Sequence, residues 1–339
     1  MTDNLVTRAI VLIGVLGLVL IAFFIYQNQS RAVPSGKVIT VEVKPGTSFY
    51  SFSLMLEEKE VVKSAFVLRQ LASTKGVDRK LSPGKYVFKT GSDYEEVLKI
   101  IEHGPQVELV KVVIPEGFSN QQIASRMEEV LGVEKERFLK LANTGKPVFV
   151  DQFSFLKNVP VNSLEGYLFP DTYYFRKDES VEVIISRMLE NFARRATSIG
   201  LLNNQKNEKG IHQIVTMASI VEKEAKLEDE RPLIASVFYN RLKKGMKLQS
   251  CATVEYILGF SKPRLSNEDL KIDSPYNTYL YSGLPPGPIC NPGLSSLKAA
   301  LNPAQTNYLY FVLIDDSGKH YFAETYQEFL KVKSKRGVN

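Results

Sequence analysis

Two glutamates in the segment ASIVEKEA, Glu222 and Glu224, are the residues best suited to acid–base chemistry. Successive residues of a helix turn by about 100°, so side chains two positions apart point about 160° away from each other and cannot form a close carboxylate pair. Glu224 follows Met217, Ile220 and Val221 within about two turns. Such apolar neighbours disfavour the charged carboxylate and raise its pKa, which suits a general acid.

A solvated position is the alternative for both glutamates. The same end of the helix carries Lys223 and Lys226, and charged side chains of this kind most often face water. Helical periodicity alone favours the solvated interpretation, so a catalytic role needs support from other parts of the sequence.

Candidate binding residues lie further along the chain. The tetrad 276–279 (YNTY) combines flat rings with hydrogen-bond donors and acceptors, which suits a sugar or a peptide, although Tyr and Asn also simply stabilise loops. It belongs to residues 274–293, a stretch too rich in Pro and Gly for a helix and too apolar for a solvated linker, and long loops of this kind often build sites. Arg241 lies beside Leu242 on a predicted helix, where an Arg is most often a surface charge with a buried stem.

Several other chemistries lack the residues they require. The two cysteines, Cys251 and Cys290, and the three histidines show no close ligand spacing, so no metal site is predicted. His320, in a predicted hairpin, is interpreted as structural. G-x-S-x-G, P-loop and G-x-G-x-x-G patterns are absent from the sequence, so serine-hydrolase and nucleotide-binding functions lack support and no cofactor is expected. Whether Cys251 and Cys290 form a disulfide stays open.

The composition is that of a globular protein of about two domains. Of the 339 residues, 44% are hydrophobic and 24% are charged. The formal net charge is +6, and the basic residues are scattered except in a short C-terminal tail, so nucleic acid is not an expected partner.

An uncharged apolar stretch covers residues 9–26. As a helix it would be about 27 Å long, enough to cross a bilayer with little tilt, and it is longer than the apolar part of a typical signal peptide. We therefore predict an uncleaved transmembrane helix over 9–26, after a short N-terminus (1–8) and before a polar linker (27–37).

A unit of strand, glycine turn and helix occurs twice, at an offset of 71 residues. Val41, Gly46 and Ser48 of the first copy correspond to Val112, Gly117 and Ser119 of the second, and Ser119 with Gln122 predicts a capping box. The expected fold class is thus α+β, with a small α+β module at 38–105 and a larger mixed α+β domain at 106–339.

Several long segments resemble those of the endolytic murein transglycosylases of the MltG/YceG type. They cover most of the chain and comprise IPEGFSNQQIA (114–124), EGYLFPDTYYF (165–175), ASIVEKEA (218–225), ERPLIASVFYNRLKKGMKLQS (230–250), ATVEYILG (252–259), SPYNTYLYSGLPPGPICNPG (274–293) and SLKAALNPAQTNYLYFV (296–312). The resemblance implies a single-pass anchor in the bacterial inner membrane with a cytoplasmic N-terminus, a LysM-like module at 38–105, and a catalytic domain outside the cytoplasm that cuts peptidoglycan strands internally.

The resemblance also implies roles for individual residues. Glu224 takes the place of the catalytic acid, with Glu222 in reserve, and it would cleave the bond from N-acetylmuramic acid to N-acetylglucosamine so that a 1,6-anhydro end forms. The expected sugar-binding residues are Arg241, Gln249, Tyr276, Asn277, Thr278 and Tyr279. Expected partners are glycan strands, the membrane and cell-wall synthases.

One segment departs from the family pattern, and two other functions stay open. Where relatives are expected to carry an Asp-Pro pair, this chain has Ser250-Cys251-Ala252, which makes a substrate role for that turn doubtful. A non-catalytic wall-binding or scaffold protein is one alternative function. A two-carboxylate glycosidase is another, and it would need Asp171 or Glu165 within about 5–10 Å of Glu224.

Overall fold

The computed structural model describes residues 14, 15, 17, 19, 36–106, 108–202, 210–315 and 317–335. The chain divides into two compact units, Met1–Glu108 and Leu109–Asn339. Within the described residues, the strands form three separate antiparallel pairs, one in the first unit and two in the second. The helices that accompany them make the fold a mixed α+β one, as predicted.

The first unit packs three helices and a two-stranded sheet around one hydrophobic core. Its elements are β1 (Val38–Val43), α1 (Phe49–Glu58), α2 (Ala65–Lys75), β2 (Gly84–Lys89) and α3 (Tyr94–His103). Antiparallel pairing runs from Val38 opposite Lys89 to Val43 opposite Gly84. Because strand side chains alternate between faces, β2 directs Tyr86 and Phe88 to the same side, where both rings pack on Phe52 of α1.

The second unit is mostly helical. Its elements are β3 (Leu109–Val113), α4 (Asn120–Leu131), α5 (Lys135–Thr144), α6 (Lys146–Phe149), β4 (Thr172–Arg176), α7 (Val181–Ser198), α8 (Ile211–Glu224), α9 (Arg231–Lys243), α10 (Cys251–Leu258), α11 (Leu294–Leu301), β5 (Tyr310–Leu313), β6 (His320–Ala323) and α12 (Tyr326–Lys335). Short 3-10 turns lie at Asp78–Lys80 in the first unit and at Ser154–Asn158, Glu228–Glu230 and Asp269–Lys271 in the second. Strand β3 pairs with β4, and β5 pairs with β6.

Helix α8 forms the centre of the second unit. Every residue from Ile214 to Val221 is buried, and α9, α10 and α11 all pack against it. A helix enclosed on all sides must satisfy its polar side chains internally. Ser219 does so by donating to the Thr216 carbonyl at 2.7 Å. The last turn of α8 emerges from this core, so its acidic residues lie at an edge of the packed unit.

The predicted repeat of strand, glycine turn and helix is confirmed. Gly46 and Gly117 both adopt left-handed backbone angles, with φ of +83° and +77°, which glycine adopts without steric cost. Ser48 and Ser119 cap the helices that follow, and Ser119 with Gln122 forms the predicted capping box. The local sequence therefore fixes the entry to α1 and to α4 in the same way.

The predicted membrane helix needs correction. Among the described residues, none of the helices combines the length and the apolar character needed to cross a membrane. This finding overturns the predicted transmembrane helix at 9–26 and the single-pass membrane location inferred from it. Most of that stretch, together with the N-terminus (1–8) and nearly all of the linker (27–37), lies outside the described residues.

Candidate active site

Glu224 is the last residue of α8 and lines a cavity of about 320 Å³, named here the Glu224 cavity. The walls come from α9, the turn before α10 and its first residue, the loop 274–293 (named here the tyrosine-rich loop), β5 and α12. Its other lining residues are Phe238, Arg241, Leu248, Gln249, Ser250, Cys251, Tyr279, Tyr310, Phe311, Tyr326 and Phe329. Glu224 is therefore a single carboxyl group in a largely aromatic setting.

The surroundings of Glu224 favour its protonated form. Burial is the largest influence and raises the pKa of the carboxyl group above its usual value. Ser250 Oγ donates to Glu224 Oε1 at 2.5 Å and lowers the pKa, since this bond favours the carboxylate. The charges of His320 and Arg241 also lower it, and Glu255 raises it. The net increase fits the predicted general acid.

The turn that carries Ser250 is held in an unusual conformation. Gln249 has φ of +52°, in the left-handed region that a side chain makes costly. Two hydrogen bonds to the tyrosine-rich loop maintain it, from Gln249 N to the Thr278 carbonyl at 3.1 Å and from Ser250 N to Thr278 Oγ1 at 3.0 Å. The exposed side chain of Gln249 consequently reaches the Glu224 cavity, and Ser250 Oγ faces the acid.

Arg241 is buried. The interpretation of this residue as a surface charge is therefore wrong. Only 9% of the residue is exposed. Its guanidinium donates to the Leu309 carbonyl at 2.7 Å and the Leu248 carbonyl at 2.6 Å, and it lies 5.4 Å from the centre of the Tyr310 ring. Arg241 thereby joins α9, the turn before α10 and β5 around the Glu224 cavity.

The tetrad 276–279 does not act as one surface. Tyr279 alone lines the Glu224 cavity, where its hydroxyl lies 3.1 Å from Cys251 Sγ. Asn277 is buried and donates to the Leu270 and Ile272 carbonyls, which stabilises the loop. Thr278 is also buried and holds the 249–250 turn, as described above.

Tyr276, the remaining member of the tetrad, packs away from Glu224. Its ring lies 5.1 Å from that of Tyr256, measured between centres, in the region around Glu165. The tetrad therefore contributes one residue to the cavity wall, and the other three shape the loop or pack near a second acid.

Glu222 is engaged in structural contacts. One carboxylate oxygen lies 3.3 Å from Arg231 Nη1, and the other accepts from Gly293 N at 3.0 Å, at the start of α11. Arg231 also donates to Ser296 Oγ at 2.7 Å. The two acids thus point to different parts of the unit, as the helical spacing predicts.

Glu165, which the sequence analysis named as a possible second carboxylate beside Glu224, is a buried acid that does not line the Glu224 cavity. Only 4% of the residue is exposed. It accepts from Asn120 N at 3.0 Å and Asn291 Nδ2 at 3.0 Å, and the Tyr256 hydroxyl lies 3.4 Å away. Burial raises its pKa to about 8, although the bonds from Asn120 and Tyr256 lower it.

Because the pKa of Glu165 is raised in the folded state, we predict that this group makes the free energy of unfolding depend on pH. The folded state holds a proton that the unfolded chain releases near the ordinary pKa of 4.5, so this group makes the free energy of unfolding fall as pH rises from about 4.5 to about 8. At about 1.4 kcal/mol per pKa unit, the loss between pH 5.5 and 8 is about 3 kcal/mol. Glu165→Gln removes the titration and is expected to flatten this dependence in urea unfolding.

The matched control for this prediction is Glu129→Gln, a change at an exposed carboxylate. It should leave the pH dependence of unfolding as in the unaltered chain. Equal slopes for the unaltered chain and the Glu165→Gln protein would contradict the protonated, buried state of this acid.

Of the other acid and the two cysteines named in the sequence analysis, Cys251 lines the Glu224 cavity and Asp171 and Cys290 do not. Asp171 pairs with Arg195 at 2.9 Å and accepts from Asn191 Nδ2 at 3.0 Å. Both cysteines are free, with Cys251 exposed and Cys290 buried. Within the part of the chain that the structure describes, the His, Cys, Asp and Glu residues form no group of three or more that could hold a metal ion.

Characterised and solved proteins resemble most of this chain. An endolytic murein transglycosylase from Bacillus subtilis is 36% identical over 311 residues, which cover 89% of this chain and 85% of that protein. An endolytic murein transglycosylase from Streptococcus pneumoniae serotype 2 is 31% identical over 318 residues, which cover 87% of this chain but only 57% of that protein.

A solved structure and a family match extend the comparison. The crystal structure of a YceG-like protein from Listeria monocytogenes superposes with a TM-score of 0.62 at 36% identity, covering 88% of this chain and all of the other. The YceG-like family matches residues 41–335, which cover part of the first unit, most of the second and the Glu224 cavity. The chain therefore belongs to the YceG-like family.

Proposed function

We propose that this protein is an endolytic murein transglycosylase, with Glu224 as its catalytic acid and base. The observation that carries the proposal is a single carboxyl group, with a raised pKa, at the edge of an open aromatic cavity. The named activity of the Bacillus subtilis and Streptococcus pneumoniae relatives supports the same reaction class and a peptidoglycan substrate.

One carboxyl group accounts for the whole reaction. Protonated Glu224 donates its proton to the oxygen between N-acetylmuramic acid and N-acetylglucosamine as the bond to the muramoyl C1 breaks. The resulting carboxylate then removes the proton from the muramoyl 6-hydroxyl, whose oxygen bonds to C1. The products are a free N-acetylglucosamine 4-hydroxyl and a 1,6-anhydro end, and Glu224 is protonated again.

The positions of the other acids support this single-acid mechanism. A hydrolytic glycosidase ordinarily requires a second carboxylate on the far side of the sugar. Asp171 is held by Arg195 and Asn191, and Glu165 is held by Asn120 and Asn291. Neither of these two acids lines the Glu224 cavity.

The groups beside Glu224 have separate roles in the proposal. Gln249 and Tyr279 reach the cavity and contact the sugar. Ser250 orients the carboxyl group through its 2.5 Å hydrogen bond. Arg241 is a positioning residue, since its donors are occupied by the Leu248 and Leu309 carbonyls.

Ser250→Ala is expected to shift the pH dependence of kcat/KM. Activity requires protonated Glu224 and falls as pH rises through the pKa of that group. The Ser250 hydroxyl favours the carboxylate, so its removal raises the pKa and moves the alkaline limb to higher pH. A hydrogen bond to a charged group contributes about 1.5–3 kcal/mol, so at about 1.4 kcal/mol per pKa unit a shift of about one to two pH units is expected.

Ser198→Ala, a change at an exposed serine that donates to the Arg195 carbonyl, is the matched control and should leave the alkaline limb in place. A limb that stays fixed in Ser250→Ala, or moves to lower pH, would contradict the assigned role of the hydroxyl group.

The first unit is proposed to bind the cell wall as a LysM-like module over residues 38–105. Support comes from its order of strand, two helices and strand, which builds a small domain with its own core. Trimming of nascent glycan strands beside a cell-wall synthase is the corresponding proposed setting. Both assignments rest on the family resemblance.

Digestion of purified glycan strands by the full chain tests the proposed function. Mass spectrometry of the products should show fragments of intermediate length that end in 1,6-anhydro-N-acetylmuramic acid from the earliest time points. Fragments with ordinary reducing ends would indicate a hydrolase, and release of single disaccharides from the strand ends would contradict internal cleavage.

A further inference from the structure

A second cavity lies next to the proposed catalytic one. It has a volume of about 310 Å³ and contains Glu165 in its wall, so it is named here the Glu165 cavity. On α10, Ala252, Glu255 and Tyr256 line the Glu165 cavity, whereas Cys251 lines the Glu224 cavity. At the end of α8, Lys223 lines the Glu165 cavity and Glu224 lines the Glu224 cavity.

The two cavities are therefore neighbours. Residues 223 and 224 are consecutive, as are residues 251 and 252, and consecutive Cα atoms are about 3.8 Å apart. The two cavities therefore lie on adjacent sides of the end of α8 and of the start of α10. This adjacency is what a strand that occupies both cavities would require.

The lining of the Glu165 cavity combines the charged residues Lys223 and Glu255 with uncharged polar groups and one aromatic face. Amide and hydroxyl groups come from Gln121, Asn143 and Ser261, and each can both donate and accept hydrogen bonds. The ring of Phe260 is 56% exposed and offers an apolar face. Aromatic faces combined with a few polar groups are typical of small-molecule sites.

Glu165 forms a rigid polar part of the cavity wall. Its carboxyl group is almost wholly buried and held by the start of α4 and by Asn291, so it does not need to reorganise when a ligand binds. Both of its oxygens are engaged, by Asn120, Asn291 and Tyr256, so Glu165 shapes the cavity. The exposed amide groups in the lining, each with a donor and an acceptor, match the acetamido group of an N-acetylated sugar.

We propose that the Glu165 cavity is a saccharide subsite that binds an N-acetylated sugar residue of the strand that Glu224 cleaves, away from the bond that breaks. The inference rests on the proposed function for the identity of the polymer. Gln121 and Asn143 hydrogen-bond the sugar, and Phe260 packs on its face. A subsite away from the cleaved bond requires the strand to extend beyond the two sugars that the bond joins.

Binding of glycan oligosaccharides to the full chain with Glu224→Gln tests the subsite without cleavage. The ligands are alternating N-acetylglucosamine and N-acetylmuramic acid oligomers of increasing length, and calorimetry gives Kd. Affinity should rise with length until both cavities are filled. Adding Phe260→Ala or Gln121→Ala should then weaken binding of the long oligomers about tenfold and leave that of the shortest bound oligomer unchanged.

Tyr174→Ala is the matched control, because this ring is 54% exposed on β4 and lines neither cavity. It should bind every oligomer as the parent does. Equal Kd values for parent, Phe260→Ala and Gln121→Ala at all lengths would overturn the subsite, as would a parent that shows no gain with length or no binding. Cleavage products of the unaltered chain test the proposed function separately, since hydrolytic products would overturn that function and leave these binding differences unaffected.

Discussion

Replacing Glu224 by Gln is expected to lower the rate of glycan cleavage at least about a hundredfold, the range usual for loss of a general acid–base group. The amide keeps the size of the side chain and can still contact Ser250 Oγ, but it cannot supply or remove the proton. Initial rates on purified glycan strands measure the effect. Circular dichroism and urea unfolding should show a fold like that of the unaltered chain.

Glu222→Gln is the matched control, because it makes the same chemical change two residues away. Cleavage should be largely retained. Stability should fall by about 1–3 kcal/mol, because Arg231, whose side chain is only 12% exposed, loses the charge that pairs with it. An inactive Glu222→Gln protein beside an active Glu224→Gln protein would show that the acid is wrongly assigned within the same reaction class.

The same pair of variants addresses the non-catalytic alternative. A scaffold or wall-binding protein depends on its surfaces and not on a proton donor. Full cellular function of the Glu224→Gln protein would therefore favour a scaffold, whereas loss of function with a preserved fold supports the enzyme.

Asn291→Ala is expected to lower the free energy of unfolding by at least about 3 kcal/mol. The Asn291 side chain is fully buried. Its Oδ1 accepts from Gly166 N and Leu168 N, both at 2.9 Å, and its Nδ2 donates to the Phe118 carbonyl and to Glu165 Oε1, both at 3.0 Å. Each buried group left without a partner costs about 1–3 kcal/mol. Urea unfolding measures the loss.

The control is Asn267→Ala, at an exposed position, where a change within about 0.5 kcal/mol is expected. A loss of less than about 1 kcal/mol in Asn291→Ala would contradict the view that this side chain joins the loop 274–293 to the start of α4 and to residues 165–168.

The local parts of the structure follow from the sequence. The divergence of Glu222 and Glu224 needs only the turn per residue of a helix, and their separate partners in the structure agree with it. The repeated strand, glycine turn and helix is likewise local, because Gly117 and Ser119 specify the turn and the cap.

The division of the tetrad 276–279 could not be predicted in the same way. Which of its side chains reach Glu224 depends on contacts with distant segments, such as those of Thr278 with the 249–250 turn and of Asn277 with the Leu270 and Ile272 carbonyls. Periodicity carries no information on such contacts, because the loop has no regular secondary structure.

The burial of Glu165 and the contact of Ser250 with Glu224 could not be predicted from the sequence for a related reason. Glu165 is buried by Asn120 and Asn291, which lie far from it in sequence. Ser250 occupies the segment that departs from the family pattern, and that departure was the available signal that the turn differs here. Its contact with Glu224, 26 residues away, becomes visible only once α8 and α10 are packed together.

The central claim is that Glu224 alone catalyses attack of the muramoyl 6-hydroxyl on C1 and that water takes no part. Cleavage by the full chain in water enriched in heavy oxygen tests this most directly, with mass spectrometry of the new ends. The single-acid mechanism predicts anhydro ends that carry no heavy oxygen. New reducing ends that each contain one heavy oxygen atom would show that water attacks C1, and would contradict it.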